Sequence, residues 1–131
     1  MDQIPQSHRD IFEKPNFAHL VTLMPDGSPQ VTPVWIDIDG NDVLFNTADG
    51  RQKARNLDRN KTVALSILDS GNPYRYVQVR GEVVEKTFDG ADAHIDKLAK
   101  KYLGVDSYPN RTPSEKRVIY RIRPNRVQYW G

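Results

Sequence analysis

Asp42-Val-Leu-Phe-Asn-Thr47, followed almost at once by Asp49-Gly-Arg-Gln-Lys-Ala-Arg-Asn-Leu57, is the stretch around which the rest of the chain is arranged. Its first six residues read as a strand, and Asp49 is a good N-cap for the short helix expected after it. At helical spacing Gly50, Ala54 and Leu57 share a face that can lie on a sheet, while Arg51 and Arg55 stand together on another. Lys53 flanks the apolar stripe on the opposite side. Three cations thus crowd the first half of the helix, where the macrodipole already favours negative charge. An anion bound there by free backbone N–H groups and by these side chains resolves the conflict. The alternative is a solvated basic helix paired with Asp49 and Asp58.

The 131 residues suffice for one compact domain, expected to span 1–131, and are too few for two. Hydrophobic residues make up 37% and charged residues 27%, a soluble globular composition. A net charge of +2 is too mild for a nucleic-acid partner, which needs a dense basic stripe. There is no cysteine, which excludes disulfides and thiolate chemistry, and His8, His19 and His94 lack metal-ligand spacing. No run approaches the roughly 20 apolar residues of a membrane span, and the N-terminus has no signal-peptide core, so a cytoplasmic protein is expected.

The polar arm from Met1 to Asn16 contains Ser7, placed to cap a short helix through Phe12 that Pro15 ends. Phe17 to Met24 reads as a strand, Pro25-Asp-Gly-Ser28 as a turn, and Pro29 to Ile38 as a second strand. Pro33 cannot donate to a ladder, so that second strand should be an edge or bulge there. Asp39-Gly-Asn41 turns the chain into the Asp42–Thr47 strand, and Thr62 to Leu68 follows the central helix as another. Tyr74 to Glu85 alternates, with Val77, Val79, Gly81 and Val83 on one face, and Gly81 marks a bend or a close backbone approach. Phe88 to Leu103 is the clearest helix: Ala91, Ile95, Leu98, Ala99, Tyr102 and Leu103 form its apolar stripe, and Gly104 is its natural C′ residue. After a polar loop, Val105 to Lys116, two short strands are expected, Arg117 to Arg123 and Arg126 to Trp130, hinged at Pro124-Asn125. The tally of about six or seven strands joined by tight turns, with inserted helices, points to a mainly β protein built as a small antiparallel barrel.

Nucleophilic catalysis finds little support, for there is neither a G-x-S-x-G elbow nor a P-loop. Asp37 and Asp39 share a face but read as a charged pair flanking a turn. His94 reads as a boundary residue of the long helix rather than a base. What remains is a cofactor-type site, an anion pocket at Arg51, Gln52 and Lys53 with Tyr74, Tyr76, Trp35 and Trp130 as flat surfaces. For Tyr74 and Tyr76 a role in the core or a dimer contact is equally open, and Trp35 reads as core.

Several segments together resemble a known family. The turn Pro25-Asp-Gly-Ser-Pro-Gln30, the strand Val31-Thr-Pro-Val-Trp35 and the helix Arg51-Gln-Lys-Ala-Arg-Asn-Leu57 are similar to those of the pyridoxamine-5′-phosphate-oxidase-like split β-barrel flavoproteins. Within them the chain is most similar to the actinobacterial deazaflavin (coenzyme F420)-dependent reductases. Asn72-Pro-Tyr-Arg-Tyr-Val77, Val79-Arg-Gly81, His94 to Gly104 and Ile122-Arg-Pro-Asn-Arg-Val127 match that branch, so the resemblance covers nearly everything beyond the first fifteen residues.

The resemblance implies a split β-barrel homodimer with the cofactor in a groove at the dimer interface. By position, Arg51 and Lys53 would bind the phosphate and acidic tail of coenzyme F420, supported by Gln52, Arg55 and Asn56, the last two chiefly by holding the helix to the sheet. Val31, Thr32, Pro33 and Val34 would line the ring, and Thr47 and Ala48 would offer backbone contacts. Asn72, Pro73, Tyr74 and Tyr76 would reach the cofactor from the partner subunit. No residue is expected to act as a catalytic nucleophile, and no metal is implied. The expected activity is hydride transfer from the reduced deazaflavin to a conjugated small molecule. FMN in the same groove, or a non-catalytic flavin or deazaflavin binder, are the alternatives. The family's true pyridoxamine-phosphate oxidases carry a substrate-binding C-terminal segment absent before Gly131, so that oxidation is not expected.

Overall fold

A computed structural model describes residues 1–131 as a mainly β protein with inserted helices. A 3-10 turn, Gln6–His8, leads into α1 (Arg9–Glu13), then β1 (Ala18–Leu23), β2 (Pro29–Val34), β3 (Ile36–Asp39) and β4 (Asp42–Ala48). The helix α2 (Gln52–Arg59), β5 (Thr62–Asp69), β6 (Asn72–Thr87), α3 (Ala91–Leu103) and β7 (Arg117–Trp130) complete it. No helix is long and apolar enough to cross a membrane.

The seven strands form one antiparallel sheet in the order β2-β1-β5-β6-β7-β4-β3. The stretch from Pro29 to Ile38, expected as one strand, is therefore two, and they lie at opposite edges of the sheet. Only Trp35 joins them. A single residue spans at most about 7 Å between its neighbours' Cα atoms, so the two edges must approach each other there, and the sheet curls into a half-barrel. The expected place of Pro33 holds: β2 is an edge, pairing only with β1 through Pro33 opposite His19.

Inward-facing residues fill the curl. Phe45 and Tyr120 stack at 5.3 Å between ring centroids, and Ile11, Phe12, Leu20, Ile36, Leu57, Leu65, Ile67 and Ile122 are buried around them. The alternation read in β6 is realised, with Val77, Val79 and Val83 in the core. At Gly81 the register between β6 and β7 shifts, and a Cβ there would lie 2.2 Å from the carbonyl oxygen of Arg123. That is the close backbone approach the sequence signalled.

Four local expectations change. Ser7 does not cap a helix; its hydroxyl bonds the His8 ring at 2.8 Å. The two closing strands are one continuous strand, because β6 pairs along its whole length and carries β7 past Pro124. The long helix begins at Ala91, after Gly90 in the left-handed region, and its Leu103 is exposed rather than part of the buried stripe. Asp49 is not the cap of α2. Gly50, at φ +90°, turns the backbone, Arg51 takes the cap position without a side-chain bond, and Asp49 pairs with Lys86 at 3.3 Å.

Candidate functional site

The two places where β4 ends and β7 begins are one place in space. The register sets Ala48 opposite Arg117, and the Asp49 N–H donates to the Lys116 carbonyl at 2.8 Å. The turn at Gly50 then brings Arg51 and Lys53 back beside Arg117. Across the gap stand Pro33, Val34 and Trp35, where the sheet edges meet. Between these walls lies a cleft of about 320 Å³, lined also by Phe17, Asn46, Thr47, Ile95, Leu103, Tyr108 and Asn110.

One wall is aromatic. Trp35 and Tyr102 stack at 5.2 Å with only 10° between planes, and the Tyr108 ring meets Trp35 edge-on at 6.0 Å. The Tyr102 hydroxyl accepts from the Ile36 N–H at 3.0 Å and donates to the Asn16 carbonyl at 2.7 Å, which fixes this wall to the strand break. The loop from 105 to 116 is strapped to α3 through Asp96. Its carboxylate accepts from the Tyr108 N–H at 2.9 Å and from Arg111 at 2.6 Å. Tyr108 in turn lies 5.3 Å from the Arg117 guanidinium.

The other wall is cationic. Burial pushes the Lys53 ammonium below its ordinary value, and the charges of Arg51 and Arg117 push it further. Burial likewise lowers Arg117, with Arg51 adding repulsion, although a guanidinium stays charged at neutral pH. Glu115 pairs with Arg51 at 2.8 Å and lies 3.6 Å from Arg117, offsetting one of the three positive charges. Lys53 has no carboxylate partner. Two buried polar atoms in the protein lack any hydrogen-bond partner, Arg117 Nη1 and Thr47 Oγ1, and both belong to residues of this cleft. Such orphaned atoms cost stability unless a ligand or water meets them, so the cleft fits an anion at its cationic end.

Behind the cleft, Asp37 accepts from the ring of His94 at 3.1 Å, from Lys97 at 2.9 Å and from the Ile38 N–H at 2.9 Å. Burial alone would raise this carboxyl. The bonds from His94, Lys97 and Ile38 more than offset it and hold Asp37 well below the usual carboxylate range. A carboxyl lowered in the folded state contributes stability above its unfolded value near 3.9, lost as pH falls below that. Asp37→Asn is therefore expected to lower stability by about 2 kcal/mol at pH 7 and to flatten the acid limb of thermal melts below about pH 4. Equal losses at pH 7 and pH 3 would contradict this. Asp39 pairs instead with Arg121 at 2.8 Å, so the two carboxylates serve different partners.

Of the residues singled out in the sequence, Pro33, Val34, Thr47, Arg51 and Lys53 meet in the cleft. Ala48 is buried behind it, and Val31 and Thr32 lie further along β2, outside its lining. Gln52, Arg55 and Asn56 do not line it either. Asn56 is buried and donates to Thr22 Oγ1 at 3.0 Å, fastening α2 to β1, while Arg55 reaches only Gln52. Asn72, Pro73, Tyr74 and Tyr76 lie at the β5–β6 hairpin, with Tyr74 80% exposed, and contribute nothing to the cleft of their own chain. Arg117, Asn46 and Tyr108 were missed. An arginine opening a strand carries no local signal, and only the pairing of β4 with β7 makes it a site residue. Trp35, read as core, sits at the strand break and lines the cleft.

The family model described as Pyridoxamine 5′-phosphate oxidase matches residues 4–131. Among solved structures, an F420 reductase is 37% identical, covering 95% of this chain and 98% of its own, with a TM-score of 0.83. A conserved hypothetical protein from Mycobacterium tuberculosis is 22% identical over 99% of this chain and 89% of its own, with a TM-score of 0.73. A HupZ protein of Group A Streptococcus is 19% identical over 97% of this chain and 94% of its own, at 0.69, and these last two speak to the fold alone. No curated protein matches the chain.

Proposed function

The chain belongs to the pyridoxamine 5′-phosphate oxidase family, and from that premise we propose that it is an oxidoreductase holding coenzyme F420 in this cleft and serving a planar, conjugated small-molecule acceptor. The observation that carries the reading is the pair of orphaned buried atoms, Arg117 Nη1 and Thr47 Oγ1, at the cationic end of an aromatic-walled cleft. The similarity to an F420 reductase at 37% identity supports the choice of coenzyme.

In this reading Arg51, Lys53 and Arg117 hold the phosphate and acidic tail, with forked and point charges suited to oxyanions. Thr47 Oγ1 offers a further hydrogen bond. Pro33 and Val34, with Val31 and Thr32 further along the strand, line the ring. Bound in its reduced form, the deazaflavin would supply a hydride. The chain's own part is to bind, to orient and to keep water out, and Trp35, backed by Tyr102, and Tyr108 are the apolar surface for that. Ala48, Gln52, Arg55 and Asn56 support the cationic turn from behind.

We further propose that the working unit is a cytoplasmic homodimer. Leu68, Tyr76 and Trp130 stand opposite one another in the β5–β6–β7 ladder, and Leu68, Trp130, Val31 and Tyr74 are exposed. A second copy over this face would cover them and bring its Asn72, Pro73, Tyr74 and Tyr76 toward the groove. FMN is the second reading, favoured by the same cations, which suit a terminal phosphate.

Titrating one preparation with F420 and with FMN tests both readings: the preferred coenzyme should show quenching or a spectral shift at micromolar concentration. Failure of both to bind would remove the proposal. Lys53→Ala is expected to weaken F420 binding about three- to tenfold at low salt, and less at high salt, because partly exposed charges are screened. An unchanged, salt-independent affinity would mean that the tail lies elsewhere.

A further inference from the structure

We infer that Asn46, held by His94 and Asp37, is a positioning residue that aims the Arg117 guanidinium into the cleft. The inference rests on the anion-binding reading of the cleft. Four side chains from four elements form the chain of bonds. Arg117 Nε on β7 donates to Asn46 Oδ1 on β4 at 2.9 Å. Asn46 Nδ2 donates to the Ala91 carbonyl at 2.8 Å and lies 3.3 Å from His94 Nδ1 on α3. His94 Nε2 then lies 3.1 Å from Asp37 Oδ2 on β3.

The direction of every bond is forced. Arginine has no acceptor, so the oxygen of Asn46 must face Arg117 and its amide N–H groups must face Ala91 and His94. His94 must then present a lone pair at Nδ1 and its proton at Nε2, where the Asp37 carboxylate accepts it. This fixes the tautomer and anchors the chain on a charge. With Nε tied, the far end of the guanidinium is directed toward the cleft, where Nη1 has no hydrogen-bond partner and lies 3.6 Å from Glu115 Oε1.

A double-mutant cycle supplies the test, with F420 affinity, and FMN in parallel, measured by fluorescence. Asn46→Ala should weaken binding about tenfold alone, the loss of one charge-assisted bond, and have little further effect in an Arg117→Ala background. Additive losses would overturn the inference. Should neither coenzyme bind, the functional reading falls, and exchange of the Arg117 Nε–H with water, read by NMR at one pH, still decides the positioning claim. Exchange should be about tenfold faster in Asn46→Ala than in the wild type, the loss of the bond to Oδ1; equal exchange would end the claim.

Discussion

Arg117→Ala is expected to weaken coenzyme binding by about 10- to 100-fold, the cost of losing a charge-assisted contact from a desolvated guanidinium. Arg117 is 7% exposed, its Nη1 has no hydrogen-bond partner and lies 3.6 Å from Glu115, and its Nε is fixed by Asn46. Little side-chain freedom is then lost on binding, so most of the contact energy reaches affinity. Arg117→Lys would keep the charge and lose both the fork and the tie to Asn46, and should recover only a small part of the loss. Fluorescence titration of the three proteins checks this, with thermal melts to confirm folding. A Kd within threefold of the wild type for Arg117→Ala would place the anion away from β7 and dismantle the site.

The second large effect falls on the fold. Gly81→Ala should destabilise the protein by about 3 kcal/mol or more and lower the Tm by roughly 10 °C. The added Cβ would stand 2.2 Å from the Arg123 oxygen, 3.1 Å from its carbonyl carbon and 3.3 Å from Pro124 Cα. All three are backbone atoms of the paired strand, so no rotamer can relieve the clash, and the β6–β7 bulge would have to open. Comparing urea midpoints of the two proteins measures the cost. A change under 1 kcal/mol would mean that the strands separate there without penalty.

Much of this architecture is local chemistry and was legible as such. Asp26-Gly27 makes a turn, Val77 to Val83 alternates, and Gly104 closes α3 in the left-handed conformation at φ +74°. Each depends on residues a few positions apart. The expectations that failed are those in which distant backbone overrode a local preference. Pro124-Asn125 is a poor strand interior, yet β7 runs through it because β6 offers a full-length partner. Asp49 is a good cap by type, but Lys86 and the carbonyl of Lys116 claim it and its N–H for other bonds.

The sequence by itself determined most of the strands and the basic turn after β4, since these follow from period, turn residues and charge within short windows. Only the tertiary structure decided that Trp35 divides one apolar run between the two edges of a curled sheet. It alone set Arg117, some sixty positions beyond Lys53, against the same cleft and tied it through Asn46 to His94 and Asp37. The reason is that strand pairing brings together residues whose separation along the chain carries no period, and the burial of a cation is a property of the closed half-barrel rather than of any window of sequence.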